Sequence, residues 1–198
     1  MQRSIKIEAS SSAEALKLAV EQTRISADKI FLNETSEENV YEAIVDVNLA
    51  LEGKKYLESI LDNLGVDYNI EVRTVNNEKE IHYIIDSSEN PLLIGIKGRT
   101  LDALQLTLKN LIGIYTDERI VVTLDIGSYK ANRQQQLEIL ATKVAKQVAR
   151  DKMPIKLKPM TSYDRLIIHQ KLAEWRDVYT ESEGEGLERA IVIKPRKA

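Results

Sequence analysis

The chain has 198 residues, 43% hydrophobic and 30% charged, with 8 glycines, 4 prolines and a formal net charge of −3. That length corresponds to one or two domains by size alone, and the composition excludes collagen, low-complexity disorder and an all-linker chain. There is no cysteine, which removes disulfides, thiolate metal sites and a cysteine nucleophile. With only His82 and His169 as imidazoles, no metal site and no cofactor is expected. No apolar run approaches the roughly 18 residues of a membrane span, so membrane insertion is not expected. Met1 to Glu8 lacks the basic and apolar segments of a signal peptide, which makes the cytoplasm the expected compartment.

The small net charge hides an asymmetry. Residues 1–88 carry 9 Lys and Arg against 17 Asp and Glu, whereas residues 128–176 carry 11 against 4. A basic segment on an otherwise acidic chain is an electrostatic footprint for a polyanion, or else a solvated helix face with surplus lysines.

In chain order, Arg3 to Glu8 alternate polar and apolar as a short strand does. Ser11 and Ser12 precede a helical run with Ala15, Leu16, Ala19 and Val20 on one side. Two strand-like segments follow, near Lys29–Asn33 and Val40–Leu49, which completes a βαββ unit. A unit of about 50 residues buries a modest core, so it is expected to lean on a neighbour or on a second copy of itself in a homodimer.

A second piece begins near Gly53. Tyr56, Leu57, Ile60, Leu61 and Leu64 have helical spacing, and Gly65 sits where a glycine ends a helix. Val66 to Val72 and Ile81 to Ile85 alternate around Asn76-Asn77, which predicts a hairpin with one buried face. After Leu92-Leu93-Ile94 comes Gly95-Ile96-Lys97-Gly98, then a helix bearing Leu101, Leu104, Leu108, Leu111 and Ile112, then a strand with Ile120, Val122 and Leu124. The order is αββααβ.

The third piece opens with a helix over about Lys130 to Arg150, striped by Leu137, Leu140, Ala141, Val144, Ala145 and Val148. An extended segment at Ile155 to Leu157, a second helix capped by Thr161 or Ser162, a turn at Glu183 to Gly186 and a final strand at Glu188 to Lys194 complete it. No repeat of 20–50 residues is evident.

Three patterns can carry chemistry. In Gly95-Ile96-Lys97-Gly98 the glycines let backbone approach a ligand, the following helix presents unpaired N–H groups, and Lys97 and Arg99 add charge. Such a loop can clamp a sugar-phosphate backbone as a KH domain does, or it can be a plain turn. Arg165 and His169 lie four residues apart on one helix face; Arg165 either meets a phosphate or pairs with Asp164 or Glu174. The basic helix carries Lys130, Arg133, Lys143, Lys146 and Arg150, continued by Lys152, Lys156 and Lys158, with Tyr129, Tyr163 and Trp175 available either to stack bases or to fill core. Recognisable catalytic patterns are missing, and a nuclease using His169 is the catalytic alternative.

Leu93 to Gln105 (LIGIKGRTLDALQ) resembles the KH core of the bacterial Jag family, also called KhpB, and so does Asp125 to Arg133 (DIGSYKANR). Pro159 to His169, Thr180 to Gly186 and Arg189 to Pro195 resemble that family's R3H domain. The resemblance implies an α+β protein of three parts: a Jag-N-like βαββ unit over residues 1–51, a type II KH domain (αββααβ) over 52–127, and an R3H domain of helices packed on a small sheet over 128–198. It implies a non-catalytic, cytoplasmic protein that binds single-stranded RNA in post-transcriptional control linked to cell division or envelope growth, with a small single-KH protein as a partner. By the same resemblance Gly95, Lys97 and Gly98 would hold the RNA backbone with Arg99 beside them, and Arg165 and His169 would form the R3H pair, assisted by Arg133 and by Lys130 on the same helix. Unpaired bases would lie against Ile94, Leu101 and Leu104. Ile96 and Leu166 depart from the family, standing where basic residues are frequent. The rival reading is an adaptor that uses these folds to dock a membrane-protein insertase or a sporulation factor.

Overall fold

The computed structural model describes residues 3–77 and 79–196; residues 1–2 and 197–198, the ends of the expected first and third parts, lie outside them. The chain divides into two compact units, Met1–Gly127 and Ser128–Ala198. Among the described residues no helix is long and apolar enough to cross a membrane.

The first unit holds two separate three-stranded sheets. Strand β1 (Ser4–Glu8), helix α1 (Ser12–Thr23), β2 (Ile30–Glu34) and β3 (Val40–Val45) form the expected βαββ arrangement, with antiparallel strands in the order β1-β3-β2. Ser11 caps α1 by accepting the Glu14 N–H. The core here is small: Ile7, Ala9, Ala15, Ala19 and Ala43 are its buried members. Alanines bury little area each, so polar ties to the rest of the unit carry weight. Arg3 Nη1 donates to the Ile114 carbonyl at 3.0 Å. Lys29 Nζ reaches Glu52 Oε2 at 2.5 Å and Tyr115 Oη at 3.2 Å, and lies 5.1 Å above the Tyr115 ring. The Glu52 hydrogen bond raises the Lys29 ammonium above its ordinary value, and the same bond lowers the Glu52 carboxyl.

Helix α2 runs Leu49–Leu64. It starts well before the expected Gly53, and the expected junction at residues 51 and 52 falls within its first turn. The reason is local: the Asn48 side chain accepts the Leu51 N–H at 2.9 Å, a cap the apolar spacing does not reveal. Gly53, Leu57 and Leu61 face inward. A Cβ on Gly53 would overlap the Tyr83 hydroxyl and lie 2.7 Å from Tyr83 Cζ, so the glycine is a close-approach position inside a helix. Gly65 ends α2 at φ 67°.

Strands β4 (Tyr68–Val75) and β5 (Glu80–Ser87) pair antiparallel, and β6 (Val121–Ile126) pairs parallel to β5. Between β5 and β6 lie α3 (Asn90–Ile94) and α4 (Arg99–Tyr115), which gives the expected αββααβ order. Ile81, Tyr83 and Ile85 of β5 and Leu124 and Ile126 of β6 are almost fully buried, as are Leu57, Leu61, Leu108 and Ile112 of the helices.

The second unit opens with α5 (Tyr129–Asp151), followed by β7 (Ile155–Lys156), α6 (Ser162–Leu172), β8 (Val178–Glu183) and β9 (Ala190–Pro195). Its antiparallel sheet has the order β7-β9-β8. Leu137, Ala141, Ala145, Ile168, Ile191 and Ile193 are among its core residues, and Trp175 packs against them, which settles that aromatic as core. Strand β8 is absent from the sequence reading because only Val178 among its six residues is aliphatic.

Replacing Gly53 by Ala is expected to lower unfolding free energy by about 1–3 kcal/mol through overpacking, against a helix-propensity gain of about 1 kcal/mol. The loss should shrink in a Tyr83→Phe background, as read by the urea midpoint of the two backgrounds. An equal loss in both would mean that the Tyr83 hydroxyl is not the obstacle.

Candidate nucleic-acid interface

Helix α3 ends where Gly95 takes φ 70° and its N–H donates to the Pro91 carbonyl at 3.0 Å. Lys97 (φ 56°) and Gly98 (φ 80°) are also left-handed, so three of four loop residues sit at positive φ. Each is a conformation that costs little for glycine and more for lysine. A Cβ on Gly95 would overlap Thr100 Oγ1 and lie 3.1 Å from the Thr100 backbone nitrogen, so the turn closes tightly on the start of α4. That closure leaves Ile96 78% exposed and Lys97 exposed, while Gly98 is buried. Helix α4 begins at Arg99, itself exposed, with no side chain capping its first N–H groups.

The expected apolar flank needs one correction. Leu101 is 1% exposed and belongs to the core, because the first turn of α4 directs it inward beside Leu108 and Ile112. Ile94 and Leu104 are half-buried and keep an accessible part. Leu92 on α3, which the sequence reading passes over, is 57% exposed.

In the second unit Thr161 caps α6 by accepting the Asp164 N–H at 3.2 Å. This sets Arg165 one turn before His169. Arg165 Nη1 donates to the Met160 carbonyl at 2.8 Å, and among the described residues Arg165 has no carboxylate partner. Asp164 pairs instead with Arg133: Nη2 lies 2.7 Å from Oδ2, and the carboxylate side chain is 4% exposed. That carboxylate raises the Arg133 guanidinium above its ordinary value. Arg133 was expected to assist phosphate binding; its charge is committed to joining α5 to α6. Lys130 is half-buried and partnered. Tyr163 is 51% exposed and stays open for stacking.

His169 is held at both ring nitrogens. Nδ1 lies 2.6 Å from Thr180 Oγ1 and Nε2 lies 3.1 Å from Ser182 Oγ, both on β8. Burial, and then the neighbouring Arg165 charge, push its pKa below the ordinary histidine value, so the ring is neutral at pH 7. Thr180 and Ser182 are functional candidates that sequence reasoning quoted without a role; their two-residue spacing on a strand was the available signal. Among the described residues no cluster of three or more His, Cys, Asp or Glu side chains could hold a metal ion.

The R3H domain family matches residues 135–195, which span most of α5 and all of α6, β8 and β9. The chain is 33% identical over 143 residues to the RNA-binding protein KhpB of Clostridium symbiosum, covering 72% of this chain and 64% of that relative. It is 28% identical over 198 residues to the protein of the same name from Bacillus subtilis (strain 168), covering 93% and 94% of the two chains. A third, from Lactiplantibacillus plantarum, is 33% identical over 142 residues, covering 72% of this chain and 44% of the relative. The matched region thus spans less than two thirds of the first and third of these relatives.

Removing the Asp164 carboxylate with Asp164→Ala should cost about 1.5–3 kcal/mol, the range for hydrogen bonds to charged groups, as measured by urea unfolding. Adding Arg133→Met should recover much of it, because no unpaired guanidinium is then left half-buried. Loss that grows in the double variant would contradict the pairing.

Proposed function

The chain belongs to the KhpB (Jag) family, and on that premise we propose that it binds single-stranded RNA without cleaving it. The observation that carries this reading is the turn between α3 and α4. Two glycines and a left-handed lysine hold Ile96 and Lys97 outward at the uncapped start of a 17-residue helix. Backbone N–H groups and an exposed cation suit phosphate oxygens, and an exposed isoleucine suits the face of an unpaired base. The αββααβ unit is read as a KH domain and the second unit as an R3H domain that adds Arg165 and the His169 face. The names of the relatives quoted above agree with RNA as the ligand.

The finer parts of the proposal rest on the family resemblance. They are a cytoplasmic role in post-transcriptional control linked to cell division or envelope growth and a small single-KH protein as partner; self-association as a homodimer is proposed instead from the small core of the βαββ unit.

Ile96→Asp combined with Lys97→Asp should weaken binding to single-stranded RNA at least tenfold at low salt. Both side chains are exposed, and Asp tolerates the left-handed region at position 97 better than most residues. Filter binding measures the affinity and far-UV circular dichroism checks that the fold is kept. Unchanged affinity with intact fold would move the RNA site away from this turn.

A further inference from the structure

Histidine at a nucleic-acid face ordinarily reads as a direct contact. Here both ring nitrogens are already occupied by β8 hydroxyls. We propose that the Thr180 and Ser182 hydroxyls, backed by His169 and flanked by Arg165, form a phosphate-binding pair whose donor capacity increases when His169 gains a proton. The proposal rests on the single-stranded RNA reading and names the ligand group that the second unit takes.

A neutral imidazole has one N–H and one lone pair. One hydroxyl therefore accepts from the ring and keeps its own O–H free. The other donates to the ring and has no proton left for a ligand. Once the ring is protonated, both nitrogens donate, both hydroxyls accept, and both O–H groups are free to donate to an anion. Protonation thus takes the pair from one free donor to two and adds a positive charge behind them. Both hydroxyl-bearing residues are half-buried, so neither is sealed in the core.

The surrounding charges favour the same outcome. Thr180 and Ser182 lie opposite Ile193 and Ile191 of β9, on the face packed against the helices. Glu181 and Glu183 alternate to the other face, where Lys194 of β9 holds them at 2.5 and 2.8 Å. From α5, Arg133 is neutralised by Asp164 of α6. Arg165 is left as the charge acting on His169 from its own helix, and among the described residues His169 has no carboxylate partner. A phosphate arriving at the hydroxyls supplies the missing anion and offsets Arg165. Binding must then raise the His169 pKa, and affinity must rise as pH falls through the interval between the free and bound values.

The test uses the full chain and oligouridylate, whose bases do not titrate between about pH 5 and 8, the range in which histidine does. The His169 ring is followed by NMR across that range in free and bound protein, with His82 as the internal reference. The expected result is a rise of about one pKa unit at His169 on binding, matched by about a tenfold gain in affinity from high to low pH. Thr180→Val with Ser182→Ala should still bind through the α3–α4 turn, more weakly and without the pH response. Binding with an unmoved His169 pKa, or a full pH response in the double variant, overturns the hydroxyl pair alone and leaves the hydroxyls as plain supports for a half-buried ring. No oligouridylate binding at any pH overturns both this proposal and the RNA reading.

Discussion

The turn between α3 and α4 places three of its four residues at positive φ, a backbone that most side chains resist. Gly95 and Gly98 adopt it at small cost, and Lys97 is carried into the left-handed region between them. Gly95 is pressed against Thr100, and Ile96 and Lys97 are both exposed at the turn. An isoleucine 78% exposed has no stabilising role in the fold, which is why the turn reads as a contact surface.

Much of this was legible in the residues, and the failures have distinct causes. Alternation and helical spacing located β1, α1, the β4–β5 hairpin and α4, because in each the apolar residues recur with the period of the element, whether they are the alanines of α1 or the larger side chains of the others. The start of α2 was missed because it is set by a polar cap at Asn48, eight residues before the apolar series that begins at Tyr56. Strand β8 was missed because its inward positions carry Thr180 and Ser182, which satisfy a histidine in place of filling a hydrophobic layer. Leu101 was misplaced for a geometric reason: a stripe of leucines does not say which of its members the first turn of the helix directs inward.

Charge counting on the second unit was informative but incomplete. Of the four acids among residues 128–176, Glu138, Asp151 and Asp164 are each consumed by an internal pair, with Lys171, Arg150 and Arg133. The two exposed pairs contribute little to stability, yet all three remove cations from the reckoning. Arg133 is the instructive case, since the same guanidinium that looks like a phosphate ligand in sequence is what fastens α6 to α5. Lys143 and Lys146 remain exposed along α5, on the rim of a shallow depression of about 470 Å3 floored by Ile139.

Lys97, Arg99 and Arg165 are suited to phosphates, and Ile96, Leu92 and Tyr163 offer apolar or aromatic area to any base. Phosphate contacts position a strand without reading it, and stacking is tolerant of sequence. Covalent linkage of two such surfaces makes engagement of the second intramolecular once the first is bound, which multiplies modest affinities without any new contact. If the proposed reading holds, strands that are single, flexible and long are favoured over paired ones. On that reading the ligand would be chosen more by its unpaired length than by its letters.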